Sequence, residues 1–288
     1  MQLAVLELLR DYRYLPTPYI KHALGSPEYI EDILPELANK HYIGIPEKAR
    51  NRCKTKAVPY VYELWPRGLA FLAKHERNTD RAVAGNWFEH DFLAECVRFS
   101  FDRGPIEVPG LRKRDAQSIL RHENCPPQTR NSPTPFVIPT YPPLKADAEP
   151  FGFEYDGKLV FFHGFEADNG TETISTTIKS KIERYSLYLD DGGPTRLFGM
   201  LKSHMHILFV TISEARLQHM LDYVPEHLAD RFYFKATTGF NQKFPPPTAH
   251  MVLDPWTQKG GKTWSILQHL GAENGRIQES RESERVGA

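Results

Sequence analysis

The sequence predicts an α/β protein in two parts, a small helical unit with a hairpin followed by a larger domain built on a mixed sheet. In the N-terminal part, apolar residues recur at helical spacing and two short strand-like runs follow them. From Phe136 onward, strand-like and helix-like runs alternate. A chain of 288 residues, 40% hydrophobic and 25% charged, is long enough for two folded domains.

The N-terminal part predicts three helices. The first lies in QLAVLELLRDY and ends near Tyr14. Thr17-Pro18 and Ser26-Pro27 each place a side-chain oxygen before a proline, which is typical of a helix start. Pro35 falls within the third helix and would remove one of its backbone hydrogen bonds. A short helix is also expected near Leu69 to Lys74.

Two strands are expected at residues 42–46 and 59–64, joined by the segment KARNRCKTK. Three compact helices followed by such a hairpin predict a winged helix-turn-helix over residues 1–78. The basic residues of the joining segment alternate, so an extended chain would project them to one side; they are Lys48, Arg50, Arg52, Lys54 and Lys56. A cationic stripe of this kind typically contacts DNA phosphates. The alternative is a basic loop that is merely solvated.

The second domain is predicted over residues 86–270, and a polar, patternless tail over 271–288 is expected to be disordered. A buried helix runs from Trp87 to Phe99, whereas residues 101–135 give no firm assignment. Strands are predicted at FVIP, GFEY, LVFFHGFE, HILFVTI and RFYFKA, with helices at about 175–189 and 214–224. This alternation predicts a mixed sheet.

Composition restricts the class of protein. The formal net charge is zero, so a nucleic-acid surface would have to come from local segregation of charge. The three cysteines, Cys53, Cys96 and Cys125, are widely spaced and indicate free thiols in a reducing compartment. No signal peptide and no apolar run of membrane-spanning length is evident. We therefore expect a cytoplasmic protein without a membrane partner.

The chemistry is suggested by acids near the end of one predicted strand. Glu166 and Asp168 are two residues apart and would point to the same face. Asp147 precedes the GFEY strand, which a tight Asp156-Gly157 turn would pair with LVFFHGFE. Carboxylates gathered in this way predict a Mg²⁺ or Mn²⁺ site. The alternative is a strand that ends in solvent with an Asp168-Asn169-Gly170 turn.

Several segments together resemble the replication-relaxation family, which includes mobilisation relaxases of the MobC type. These segments are YRYLPTPYIKHAL, YIEDILPELANKHYI, YVYELWPRGLAFL, FEHDFLAECV, KADAEPFGF and FEADNGTETI, followed by Lys181 and Tyr185. The resemblance implies a winged helix followed by a core similar to PD-(D/E)xK restriction nucleases. It further implies that Asp147 and Glu166 are metal ligands and that Glu95, on the first core helix, is an additional acid.

This chain departs from the nuclease motif at two positions. It has Asp168 where the motif usually has lysine, and Ala146 where a proline would stand. The missing cation could be supplied by Lys181, or by the nearby Lys179. Alternatively, Asp168 could ligate a second metal ion. Tyr185 is a candidate nucleophile, although a tyrosine within a helix that packs on a sheet is more often structural.

The sequence therefore suggests a site-specific DNA-binding protein of a mobile element. Its core would nick DNA by Mg²⁺-dependent attack of water, with Asp147, Glu166, Asp168 and Lys181 as the catalytic set, in plasmid mobilisation or replication. Its partners would be an origin-type DNA site and other transfer or replication proteins. The alternatives are a catalytically inactive regulator of copy control or transcription and a structural partner in a larger nucleoprotein assembly.

Overall fold

The computed structural model describes residues 1–25, 27–50, 59–80, 88–200, 205–237 and 247–272. The chain divides into two units. The first comprises Met1–Phe99 with Gly239–Pro247, and the second comprises Ser100–Thr238 with Thr248–Ala288. No helix within the described ranges has the length and apolar character needed to cross a bilayer.

The first unit contains four helices and a small antiparallel sheet. Its helices are α1 (Gln2–Asp11), α2 (Thr17–Leu24), α3 (Pro27–Asn39) and α4 (Pro66–Lys74), and its strands are β1 (Leu15–Pro16), β2 (Ile43–Gly44) and β3 (Val61–Leu64). The strand order is β1-β3-β2. The predicted helices and both predicted strands are present, and α3 continues through Pro35, which lies on its exposed face. The apolar face of α3 is buried, as its spacing predicts.

The segment that follows β2 differs from the predicted extended stripe. Residues Glu47–Ala49 form a turn of 3₁₀-helix after Pro46, and Arg50 keeps helical backbone angles. Side chains two apart on such a turn do not share a face. The predicted alternation is therefore wrong for Lys48 and Arg50, although both are exposed. The other basic residues of the stripe, Arg52, Lys54 and Lys56, lie outside the described residues.

The helix α5 (Phe88–Glu107) begins close to the predicted start but runs farther than predicted, and the boundary between the units falls within it. The second unit continues with further strands and helices. The strands are β4 (Arg112–Arg114), β5 (Phe151–Tyr155), β6 (Lys158–Asp168), β7 (Met205–Thr211), β8 (Phe232–Ala236), β9 (Trp256–Thr257) and β10 (Thr263–Trp264). The helices are α6 (Ala116–Arg121), α7 (Pro127–Arg130), α8 (Lys179–Asp190), α9 (Gly193–Phe198), α10 (Glu214–Leu221), α11 (His250–Leu253) and α12 (Ile266–Leu270).

The strands of the second unit form one seven-stranded sheet in the order β10-β9-β8-β7-β6-β5-β4. The central pairs β6/β7 and β7/β8 are parallel and the outer pairs are antiparallel, which confirms a mixed sheet in an α/β protein. Helices α8 and α10 cover one face through a buried apolar cluster. On the other face, Phe101 of α5 packs its ring near those of Phe151, Phe165 and Trp256.

Two features of the second unit differ from the sequence-based expectations. Residues 136–139, predicted as a strand, form only an isolated bridge from Ile138 to Leu144, because the surrounding prolines lack the donors that a ladder needs. Residues 101–135, for which the sequence gives no firm assignment, contain the end of α5, the edge strand β4 and helices α6 and α7. The Asp156-Gly157 turn is present as predicted, with φ of 47° and 76°, and it joins β5 to β6.

Candidate functional site

The strand β6 contains a bulge that decides which side chains reach the candidate site. Phe162 pairs with His206 and Phe165 pairs with Leu208, so three residue steps on β6 oppose two on β7. Gly164 lies in the bulge with φ of 93°, a backbone conformation that glycine adopts readily. A Cβ atom there would also clash with the Ala148 carbonyl oxygen. The bulge therefore shifts the alternation of side chains by one residue.

Because of this shift, His163 and Glu166 share the face covered by α8, while Phe162 and Phe165 share the opposite face. An unbulged strand would place residue 166 on the same face as residue 162. The His163 ring is buried near Tyr188, and burial lowers the pKa of this histidine to about 4. His163 is therefore a neutral packed ring, and Glu166 is the group of chemical interest on this face.

Asp147 lies directly beside the end of β6. Its backbone N–H donates to the Phe165 carbonyl oxygen at 3.0 Å, and its Oδ2 accepts from the Ala167 N–H at 2.7 Å. These two bonds attach the chain at Asp147 to the residues on either side of Glu166. The structure thus places the Asp147 and Glu166 carboxylates close enough for Asp147 to raise the Glu166 pKa.

Two side chains from α8 contact Glu166. The Tyr185 hydroxyl donates to Oε1 at 2.5 Å, and the Lys181 Nζ lies 2.9 Å from Oε2. Lys181 and Tyr185 are four residues apart and therefore lie one above the other on the same face of the helix. Both reach the sheet because the buried residues around them, such as Ile182, pack against it.

Burial governs the protonation of this group. It raises the Glu166 pKa to about 7, with a further contribution from Asp147 that Lys181 partly offsets. For Lys181, burial lowers the pKa, but Glu166 and Asp147 raise it more, so its pKa stands above the ordinary value and the ammonium stays charged. Burial and Glu166 raise the Tyr185 pKa well above its ordinary value. The Tyr185 phenol therefore stays protonated and donates a hydrogen bond to Glu166. This bond orients the carboxylate.

Asp168 has a different environment from Glu166, although both point to the same face. Arg216 of α10 donates to both of its oxygens, from Nε at 2.7 Å and from Nη2 at 2.8 Å. The Thr211 hydroxyl donates to Oδ2 at 2.7 Å and the Gly170 N–H donates to Oδ1 at 3.1 Å. Four hydrogen bonds fill the roughly four acceptor positions of a carboxylate. The geometry therefore gives Asp168 a structural ion pair and leaves no lone pair for the predicted second metal.

Glu172 is a member of the site that the sequence did not indicate. The Lys181 Nζ lies 3.1 Å from both oxygens of its carboxylate. Glu172 follows the strand in a turn with no regular pattern, so no periodicity could have placed it. Together Asp147, Glu166 and Glu172 supply three carboxylates against the single ammonium of Lys181, which leaves a net charge of −2 when all are ionised.

The other predicted candidates are not gathered at this site. Lys179 is half exposed, and the structure pairs it with Glu183 on α8 at 3.8 Å. Glu95 lies in the part of α5 that belongs to the first unit, where it pairs with Arg98 at 2.8 Å, and burial raises its pKa.

Among the described residues, no group of three or more His, Cys, Asp or Glu side chains is arranged to hold a metal ion by itself. Mg²⁺ commonly takes only one or two carboxylates from a protein and completes its shell with water and phosphate oxygens. The carboxylates of Asp147 and Glu166 are hard oxygen donors of the kind that such a site uses. Comparison with protein-family models, with curated proteins and with solved structures found no match.

Proposed function

We propose that the protein binds DNA through its first unit and nicks DNA in its second unit, with the group around Glu166 as the metal-dependent active site. The observation that carries the proposal is the juxtaposition of the Asp147 and Glu166 carboxylates with the charged Lys181 ammonium at the end of β6. Buried ionisable groups with strongly shifted pKa values are typical of functional sites.

The order of elements supports the proposal. In the first unit, three helices precede β2 and β3, an order that a winged helix would also have. In the second unit, a helix and an antiparallel strand pair are followed by α8 and the parallel strand β7. An acid before the pair and a second acid near the end of β6 correspond to the arrangement expected of a PD-(D/E)xK-like core. Lys181, 2.9 Å from Glu166, would take the part of the lysine expected beside the second acid.

The residues have distinct proposed roles. Asp147 and Glu166 would hold Mg²⁺, which when bound supplies Lewis-acid activation of water and charge neutralisation at the phosphate. Lys181 stabilises the charge that develops on the phosphate oxygens, and the carboxylates around it keep it protonated. Tyr185 orients Glu166. We further propose that the DNA is an origin-type site of a mobile element and that other transfer or replication proteins act with it.

The second candidate function is a DNA-binding regulator without catalysis. It is favoured by the ion pair of Glu166 with Lys181, because a positive side chain already neutralises part of the charge without a metal. In that case the second unit would be a structural platform, and the site would contribute only to folding.

The test is a nicking assay on supercoiled plasmids that carry the DNA flanking the protein's own coding region, with Mg²⁺ or with EDTA. We expect relaxed product only with Mg²⁺, and a loss of roughly 100-fold or more in rate for Glu166→Ala. Glu183→Ala removes an exposed acid from α8 and should nick at the wild-type rate. Cleavage by Glu166→Ala at the wild-type rate would exclude the proposed active site, and retarded but uncut DNA would favour the regulator.

A further inference from the structure

Arg216 connects two segments that flank the candidate site. Its guanidinium binds both oxygens of Asp168 at the end of β6, and its Nη2 also donates to the Glu172 backbone carbonyl at 2.8 Å. The Asp168 carboxylate is buried and the Arg216 side chain is 21% exposed. One guanidinium therefore holds both ends of the turn that runs from Asp168 to Glu172.

The turn itself carries Glu172, whose carboxylate contacts Lys181. Additional bonds within it, from the Gly170 N–H to Asp168 and from Thr171 to the Asn169 side chain, give it a defined shape. None of these bonds fixes the far end of the turn, whereas the bond from Arg216 to the Glu172 carbonyl does. The position of the Glu172 carboxylate thus depends on a residue of α10 that does not itself touch Lys181.

We propose that Arg216 is a positioning residue, which fixes Glu172 through the turn so that Lys181 is held at Glu166. The inference rests on the proposed function for its catalytic consequence. If Glu166 held a cation, its negative charge would be shared with that cation, and Glu172 would remain as the anion that holds Lys181 in place. This role also explains why an aspartate stands at position 168. Asp168 anchors the guanidinium, and the cation of the active site comes from α8 instead.

Arginine suits this role because its planar guanidinium can donate to a carboxylate with two parallel bonds and still reach a carbonyl. Lysine keeps the charge but lacks this fork. Arg216→Lys should therefore leave Asp168 paired and release Glu172. Arg196→Lys is the matched control, since the structure gives the Arg196 guanidinium a bond to the Asp191 backbone carbonyl, far along the chain from the turn.

The experiment combines nicking kinetics with ¹H–¹⁵N spectra of the Lys181 side-chain ammonium in the full-length protein. A held ammonium exchanges its protons slowly and gives a signal, which Lys181→Arg identifies by its disappearance. With Mg²⁺ present, we expect Arg216→Lys to lose the signal assigned to Lys181 and to lower kcat about 10-fold or more, with KM for DNA unchanged within about twofold. The double variant Arg216→Lys, Lys181→Arg identifies any signal that comes from the introduced lysine. The variant Arg196→Lys should match the wild type in both measurements.

The two measurements distinguish the inference from the proposed function. If the wild-type protein does not nick DNA but Arg216→Lys loses the ammonium signal, the proposed function fails and the positioning role stands. If Arg216→Lys folds and keeps the signal, the positioning role is overturned. Should Arg216→Lys fail to fold, Glu172→Gln decides, because it leaves the backbone carbonyl in place and removes the anion. Loss of the signal then supports the inference and its retention overturns it.

Discussion

Glu166 and Asp168 show how two acids on one strand face acquire different properties from their neighbours. Asp168 accepts four hydrogen bonds, two of them from a guanidinium, which satisfies a buried carboxylate fully. Glu166 receives one hydroxyl and one ammonium, and burial, with a further contribution from the Asp147 carboxylate, raises its pKa to about 7. The two partners, Arg216 and Lys181, come from different helices.

The raised pKa of Glu166 predicts a pH dependence of stability. Its pKa rises from 4.5 to about 7 on folding, so the folded state binds the proton more tightly than the unfolded state. The stabilisation from this proton is complete below about pH 4.5 and is lost as the pH rises to 7. A shift of this size corresponds to a change on the order of 3 kcal/mol. Relative to Glu166→Gln, the wild type should therefore lose free energy of unfolding between about pH 5 and pH 8.

Urea unfolding of both proteins at the two pH values measures this difference. Glutamine keeps an oxygen to accept from the Tyr185 hydroxyl and removes the titration, so other ionisable groups cancel in the comparison. The exposed Glu183→Gln is the control and should follow the pH dependence of the wild type. Parallel pH profiles for wild type and Glu166→Gln would show that the carboxyl is not perturbed in the folded state.

At the scale of the element, the bulge in β6 places Glu166 on the face of the sheet that α8 covers. Gly164 permits it in two ways, by its positive φ and by the absence of a Cβ that would clash with the Ala148 carbonyl. Gly164→Ala should lower the free energy of unfolding by more than about 2 kcal/mol. Gly157→Ala, at φ of 76° with open space around it, should cost about 1 kcal/mol from backbone strain alone.

Chemical denaturation of the two variants separates the clash from the strain, because both glycines have positive φ. Equal losses of stability would mean that the chain beside Gly164 moves to accept a methyl group. In that case Asp147, which lies next to Ala148, would be free to shift relative to Glu166. A larger loss for Gly164→Ala supports a rigid junction between the bulge and the segment that carries Asp147.

The elements that the sequence predicts correctly are those with a local signal. The Asp-Gly turn identifies the β5/β6 hairpin, apolar runs identify β7 and β8, and the helical spacing of Leu217, Met220 and Leu221 identifies α10. The two-residue strands β9 and β10 have no period to read and form because Trp256 is buried against the sheet. The bulge at Gly164 cannot be predicted from the sequence either, since one glycine in a strand does not reveal how β6 pairs with β7.

The residues of the candidate site likewise divide into those with a local signal in the sequence and those without one. Asp147 and Glu166 could be proposed from the predicted hairpin and from the resemblance, and Lys181 from its spacing on the following helix. The partner of Asp168 could not be found, because Arg216 is distant in sequence and the pairing is set by how α10 packs on the sheet. Glu172 has no signal in the sequence either, because its position depends on that same pairing.

At the scale of the whole molecule, a net charge of zero conceals opposite local charges. In the first unit, α3 is the third helix, which in a helix-turn-helix usually enters the major groove of DNA. Its sequence, PEYIEDILPELAN, contains four acids and no lysine or arginine. The acids are exposed, and the structure pairs Lys21 with Glu31 and Lys40 with Glu36. Such a helix face would be repelled by DNA phosphates, whereas the segment from Lys48 to Lys56 would be attracted to them.

We therefore predict that DNA binding depends on the basic segment after β2 and not on α3. Replacing Arg52, Lys54 and Lys56 with alanine should weaken duplex binding and reduce the slope of log affinity against log salt by roughly 0.9 for each phosphate that is no longer neutralised. The matched variant Glu28→Gln, Glu31→Gln and Asp32→Asn changes three charges on α3 and should alter affinity by no more than about twofold. Fluorescence anisotropy of labelled duplex between about 50 and 200 mM salt measures both. A large change of affinity in the α3 variant, in either direction, would place that helix against the DNA. In that case the carboxylates of α3 would contact bases, since glutamate and aspartate can accept hydrogen bonds from cytosine.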